Sequence, residues 1–170
     1  MGAKQLFTLG YEGAELEDFL RTLSDSGVTQ LIDVREVPIS RKRGFSKTAL
    51  RGALAARDIV YLHLKGLGDP KPGRDAARRG DVSEFRRIYQ KHLESDEAKA
   101  ALAIAGARAT ARTSCLLCFE RDNSHCHRSI VARRLAAERG FSVRHIGVHS
   151  PVRATCKTEY GHAARQLSLG

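Results

Sequence analysis

Short apolar runs bounded by glycine or proline recur along this chain, and longer segments of helical period lie between them. No other feature restricts the fold as much. Residues 5–9 read as a first strand, closed by Gly10. A helix is expected over 14–26, where Leu16, Phe19, Leu20 and Leu23 follow the i, i+3, i+4, i+7 spacing of one buried face. Gly27 stands where a helix-ending glycine belongs. A second strand covers 31–34, and Pro38 marks its exit. Ser46 is placed to cap a helix over 46–57, with Leu50 and Leu54 four apart. Residues 59–64 form a third strand, and Gly66, Gly68, Pro70, Pro72 and Gly73 predict a loop after it. Two helices follow over Val82–Leu93 and 96–109. The most apolar strand is 113–119, its helix runs over 126–139 to Gly140, and a last strand covers 142–146.

Strands alternating with helices predict an α/β fold: a mostly parallel sheet flanked by helices on both faces, in one three-layer domain over 1–150. Residues 151–170 are expected to be a C-terminal tail or a short docked helix. In such folds the ligand lies beyond the carboxyl ends of the strands. That rule selects Tyr11 and Glu12 after the first strand, Asp33 and Arg35 at the second, His63 near the third, and Cys118, Phe119 and Glu120 at the fourth.

Charge narrows the partner. The chain has 29 basic and 19 acidic residues, a net +10. Residues 35–80 hold 12 lysines and arginines against four acids and so carry +8 of that charge. An anionic small molecule or a nucleic acid is the expected partner. Aromatics make up only 6% and tryptophan is absent, which is thin material for the stacking platforms of single-strand binders. No apolar run approaches the roughly 20 residues that span a bilayer, so no membrane partner is expected. Residues 1–10 lack the layout of a secretory signal, and Leu6 stands where a myristoylation motif needs serine or threonine. Four cysteines without a signal predict free thiols in a cytoplasmic protein.

The segment from Cys118 to Arg128 joins a strand to a helix and holds two thiols, two imidazoles and the guanidinium groups of Arg121 and Arg128. The free N–H groups and dipole of a helix start favour an anion, which Arg128 is placed to grip in bidentate fashion. The same field predicts a lowered thiol pKa at Cys126. At 100° per residue His127 and Arg128 lead the core-facing stripe, whereas Cys126 falls on the other side unless it caps the helix. Cys115 and Cys118, three apart in a strand, point to opposite faces and do not make a zinc knuckle. Zinc held by Cys118, His125, Cys126 and His127 is the alternative, with no cofactor as the leading expectation. A Cys-x5-Arg phosphatase loop is excluded, because Ala132 occupies the arginine position after Cys126.

Asp33 and Arg35 share one face of a strand end. An aspartate in an apolar strand needs a partner, so this pair reads equally as a structural ion pair or as catalytic machinery. Arg41, Lys42, Ser46 and Lys47 form a basic loop entering a helix, which reads as a phosphate grip or a solvated run. Glu12 is a candidate general base with Tyr11 beside it, or a helix-entry carboxylate with a packing tyrosine.

Leu9-Gly10-Tyr11-Glu12-Gly13, Leu31-Ile32-Asp33-Val34-Arg35 with Pro38 and Ser40, Tyr61-Leu62-His63-Leu64 with Leu67-Gly68, and Cys118-Phe119-Glu120 with Cys126-His127-Arg128 resemble the bacterial family called domain of unknown function 488. The resemblance spans about residues 5–150. It implies a cytosolic enzyme without an established substrate. It points to Tyr11, Glu12, Asp33, Arg35, Cys118, Glu120, Cys126, His127 and Arg128, while His125 and the residues after Pro151 lie outside its motifs.

The resulting expectation is a hydrolase or transferase acting on a nucleotide, a nucleobase derivative or a nucleic acid. Tyr11, Arg35, Arg41, Lys42, Ser46, Lys47 and Arg128 would bind it. Glu12, Asp33 or Glu120 would supply acid–base chemistry, His127 would orient or transfer a proton, and Cys118 or Cys126 would be nucleophile or contact. Hydride transfer is disfavoured, since no Gly-x-Gly-x-x-Gly follows the first strand. The rivals are a non-catalytic nucleic-acid-binding module and a small metal-binding structural domain.

Overall fold

A computed structural model describes residues 3–149. Its strands are β1 (Gln5–Gly10), β2 (Gln30–Asp33), β3 (Val60–His63), β4 (Ser114–Cys118) and β5 (Ser142–His145). The helices are α1 (Leu16–Asp25), α2 (Lys47–Ala55), α3 (Lys71–Arg78), α4 (Val82–Leu93), α5 (Asp96–Ala111) and α6 (His127–Arg139). All strand pairs are parallel, in the order β3-β2-β4-β1-β5.

Side-chain alternation along the strands divides the core in two. Phe7, Leu9, Leu31, Cys115 and Leu117 pack with Phe19, Leu20 and Leu23 of α1 and Leu50 and Leu54 of α2. On the other face Leu6, Ile32, Leu116 and Cys118 meet residues from α3 to α6, among them Ala76, Phe85, Tyr89, Leu102, Val131 and Leu135. The result is a three-layer α/β domain. Cys115 and Cys118 lie on opposite faces, as a period of two requires.

The chain steps outward from β1 through β2 to β3 by way of α1 and α2. It then returns to β4 and β5 through the helices of the other face. Helices leave the ends of β1 and β2 towards one face and the end of β4 towards the other, which opens a crevice where the winding direction reverses. Register aligns these ends: Gly10 lies opposite Cys118, and Asp33 opposite both Leu117 and His63.

One segment departs from the sequence reading. The expected loop through Pro70, Pro72 and Gly73 contains α3, with Pro70 at the N-cap and Pro72 in the first turn. First-turn N–H groups have no intrahelical partner, so proline there breaks nothing. Helix ends elsewhere follow the expected signals, including the left-handed Gly140 after α6. The expected tail at 151–170 lies outside the described residues. Among the described residues, no helix is long and apolar enough to cross a membrane.

Candidate functional site

The crevice opens into a cavity of about 1220 Å³. Its walls come from the exits of four strands: Tyr11 after β1, Arg35 and Glu36 after β2, Asp69 after β3, and Cys118 to Glu120 at β4. Gly10 permits this convergence. A Cβ there would stand 1.8 Å from the Glu120 carbonyl oxygen, so only glycine lets the chain leaving β4 lie against β1. The main chain continues the pairing, with the Glu12 N–H donating to the Phe119 carbonyl at 2.9 Å.

At the end of β2 every acceptor position is used. Asp33, fully buried, takes the Arg35 Nε at 2.9 Å and its backbone N–H at 3.1 Å on Oδ1. Its Oδ2 takes Arg35 Nη2 and the Tyr61 hydroxyl, each at 2.6 Å. Arg35 Nη1 donates to the Tyr11 hydroxyl at 3.0 Å and the Phe45 carbonyl at 2.9 Å. The Tyr11 ring stacks on Phe45 with centroids 4.4 Å apart. Burial works against the Arg35 charge, but Asp33 outweighs it and holds the guanidinium above its ordinary pKa. Burial and the same carboxylate push the Tyr61 hydroxyl up. Asp33 does not line the cavity. Its contacts are those of a structural ion pair, and Arg35 alone of the two faces the ligand space.

The end of β4 is different in kind. Cys118 Sγ lies 2.9 Å and Cys126 Sγ 3.1 Å from the same Glu120 Oε2. His127 Nδ1 stands 3.6 Å from Cys118 Sγ, and its Nε2 is 2.8 Å from the Val34 carbonyl, to which it donates. Cys126 is the N-cap residue of α6, with extended backbone (φ −120°, ψ 138°). That conformation turns it inward beside His127, so the helical angle expected to carry it away from the site does not apply. The lowered thiol pKa expected from the helix start is also overturned. Cys126 is 2% exposed, and burial followed by the neighbouring Cys118 pushes it well up. Burial also raises Cys118. Glu120 is held below its ordinary value, because the thiol donors and His127 outweigh the cost of burial. Burial alone would strip the His127 proton, but Cys126, Glu120 and the Val34 carbonyl outweigh it and push the imidazole up to about 9.

These four side chains place their ligand atoms within 4.8 Å of one another, the one such group among the described residues. Glu120 therefore takes the place that the sequence reading gave to His125. His125 is exposed at the cavity mouth and pairs with Asp122 at 3.3 Å.

An expected anion contact, Arg128, and an expected general base, Glu12, both serve the loop after β4. Arg128 is 1% exposed, and its guanidinium donates to the carbonyls of Glu120 and Arg121. It is spent on main chain rather than on an anion. Glu12 is exposed, lies outside the cavity lining, and accepts the Arg121 N–H at 3.0 Å. Ser46 precedes α2, but its hydroxyl bonds the Ser40 main chain rather than a helix N–H. Lys47 is exposed and away from the cavity. Arg41 and Lys42 do line it, Lys42 pairing with Glu15 at 3.2 Å and Arg41 with no acid among the described residues.

Asp69 escaped the sequence reading. It is 5% exposed, lines the cavity, and its Oδ1 has no hydrogen-bond partner among the described residues. Burial raises its carboxyl to about 6, with His127 opposing and Glu120 adding. Gly73 makes room for it, since a Cβ there would meet Oδ1 at 2.1 Å. The available signal was its position just past β3, to which the strand-end rule applies as much as to the other strands. Arg74 and Arg78 of α3 add cations to the same wall, Arg74 pairing with Glu36. Val37, Ile39 and Phe119, all substantially exposed, give the mouth an apolar rim.

The model of a family described as "Domain of unknown function DUF488" matches residues 15–135, a span that takes in β2, β3, β4 and most of α6 but begins after Tyr11 and Glu12. No curated protein and no solved structure matches the chain.

Proposed function

The chain belongs to the DUF488 family, whose function is unknown, and from its site we propose an enzyme of hydrolase or transferase type acting on an anionic substrate, with a nucleotide or nucleobase derivative favoured. The observation that carries this reading is a single cavity that combines two kinds of wall. Its outer part presents Arg41, Lys42, Arg74 and Arg78 beside the apolar Val37, Ile39 and Phe119. Its floor holds Cys118, Glu120 and His127 within a few ångströms, with Asp69 opposite.

Cations beside exposed apolar side chains suit a ligand with both a charged group and a flat, weakly polar part. Asp69 is the acid–base candidate, because it is a carboxyl inside the cavity whose pKa is raised to about 6, and Glu120, held low by the thiols and His127, stands near it as an ionised carboxylate. His127 stands beside them, held in place by the Val34 carbonyl. Glu12, Asp33 and Arg128 position the floor from outside the cavity, and Arg35, held by Asp33, faces the ligand. Unpaired thiols at Cys115, Cys118 and Cys126 support a cytoplasmic setting.

The test is binding and turnover against a panel of nucleoside phosphates, inorganic phosphate and short oligonucleotides. The reading expects saturable binding of a mononucleotide, competition by phosphate, and loss of binding in the Arg41→Ala/Lys42→Ala double variant. Binding only to oligonucleotides, weakening steeply with salt and unaffected by Glu120→Gln, would replace it with a non-catalytic nucleic-acid-binding module.

A further inference from the structure

We propose that Cys118, Glu120, Cys126 and His127 together bind one Zn²⁺ ion at the floor of the cavity. The site joins two short segments, the exit of β4 and the start of α6, whose donor atoms converge within 4.8 Å. Cys118, Cys126 and His127 are nearly fully buried, and Glu120 is partly buried at the cavity wall.

Distances fit the ion. Thiolate sulfur about 2.3 Å and imidazole nitrogen about 2.0–2.1 Å from a tetrahedral zinc stand about 3.6 Å apart. Cys118 Sγ and His127 Nδ1 are 3.6 Å apart. Glu120 Oε2 lies closer to the sulfurs, at 2.9 and 3.1 Å, and a small side-chain withdrawal brings it to a tetrahedral edge. Cys118 Sγ lies nearly as close to His127 Nε2, at 3.8 Å, as to Nδ1, and a main-chain contact decides which nitrogen is free. The imidazole Nε2–H is committed to the Val34 carbonyl, which leaves Nδ1 as the nitrogen available to a metal and reproduces the carbonyl support usual behind a metal-bound histidine.

Donor chemistry selects the metal class. Two thiols, an imidazole and one carboxylate are a set for zinc rather than for magnesium or calcium. On binding, each thiol releases its proton to solvent, the His127 imidazolium releases its Nδ1 proton as well, and the neutral imidazole keeps the Nε2–H that faces the Val34 carbonyl. Two thiolates, one carboxylate and a neutral imidazole then surround the dication, with a net charge of −1. The loop is held for this purpose from outside. Arg128 grips the carbonyls of Glu120 and Arg121, and Glu12 takes the Arg121 N–H.

This inference goes beyond the substrate reading and is tested without any substrate. Metal content of the protein purified without chelator is measured by plasma mass spectrometry. The chelator-treated, reduced protein is then titrated with Zn²⁺ and, separately, with Co²⁺. One equivalent per chain is expected, with thiolate-to-cobalt charge-transfer absorption reporting two sulfur ligands. Cys118→Ser and Cys126→Ser should each weaken Zn²⁺ binding by more than about tenfold, while Cys115→Ser and Cys156→Ser leave it unchanged. If the serine variants fail to fold, the cobalt spectrum of the unaltered chain still decides. Folded protein that takes up less than a tenth of an equivalent, or a cobalt spectrum without thiolate bands, overturns the proposal, as does binding lost in Cys156→Ser alone.

Discussion

Two buried polar clusters sit side by side at the same edge of the sheet, and they are built on opposite terms. At the end of β2, a carboxylate and a guanidinium meet in two parallel hydrogen bonds, with Tyr61, Tyr11 and the Phe45 carbonyl taking up the remaining positions. Charge is matched to charge. At the end of β4, one carboxylate oxygen receives two thiols, and a histidine stands against a sulfur at 3.6 Å. Thiols are weak donors, and no guanidinium among the described residues meets this carboxylate. A matched cluster holds the fold together, whereas a crowd of soft donors around one point is arranged for something that arrives from outside.

The largest effect that can break this contrast is removal of Asp33. Asp33→Ala leaves Arg35 buried without its counter-ion, and we expect a loss of about 3–5 kcal/mol in urea unfolding. A loss below about 1 kcal/mol would mean that the β2 cluster is not the structural one.

Asp69 tests the other side with the opposite sign. Its carboxyl titrates at about 6 in the folded protein, against about 3.9 in an unfolded chain. Ionisation therefore counts against folding. The stability that the protonated group contributes is fully present below about pH 4 and is lost as the pH rises through about 6. In the metal-free protein, Asp69→Asn should gain about 1–3 kcal/mol at neutral pH, because the unpartnered Oδ1 no longer carries charge. That gain should shrink towards zero near pH 4. A pH-independent difference between the two proteins would refute the assignment.

The smallest effect belongs to the thiols. Without metal, Cys118→Ser should change stability by less than about 1 kcal/mol, since a hydroxyl can also donate to Glu120. Excess Zn²⁺ should raise the thermal midpoint of the unaltered chain and leave that of the variant in place. Equal shifts in both would show that the added stability comes from elsewhere.

Much of this was legible in the residues, for reasons that also set the boundary. Apolar periodicity located five strands and five of the six helices, because burial on one or two faces writes directly into spacing. Helix α3 was hidden by Pro72 and Gly73, both ordinarily breakers. Pro72 sits where helices tolerate it, and Gly73 is there for the Asp69 carboxyl, a contact between a loop and a helix that no local pattern records. The strand-end rule brought Tyr11, Arg35, Cys118 and Glu120 to one edge, but it could not say which polar groups serve main chain. Arg128 reads as an anion contact and Glu12 as a general base in sequence, and both support the loop in space. Cys126 had two placements open to it, away from the site if helical and turned inward if it capped the helix, and spacing alone could not choose the cap that it forms.

The missing side chain at Gly10 has a consequence well away from any chemistry. With 1.8 Å between an imagined Cβ and the Glu120 carbonyl, even a methyl group there must lift the chain that leaves β4. Glu120 would move with its own backbone, and its carboxylate would leave the spot where both sulfurs meet it. The tolerance of the whole assembly is thus set by a mechanical stop that donates nothing, accepts nothing and carries no charge. Alanine at that position would spoil the alignment of four reactive side chains while altering none of them.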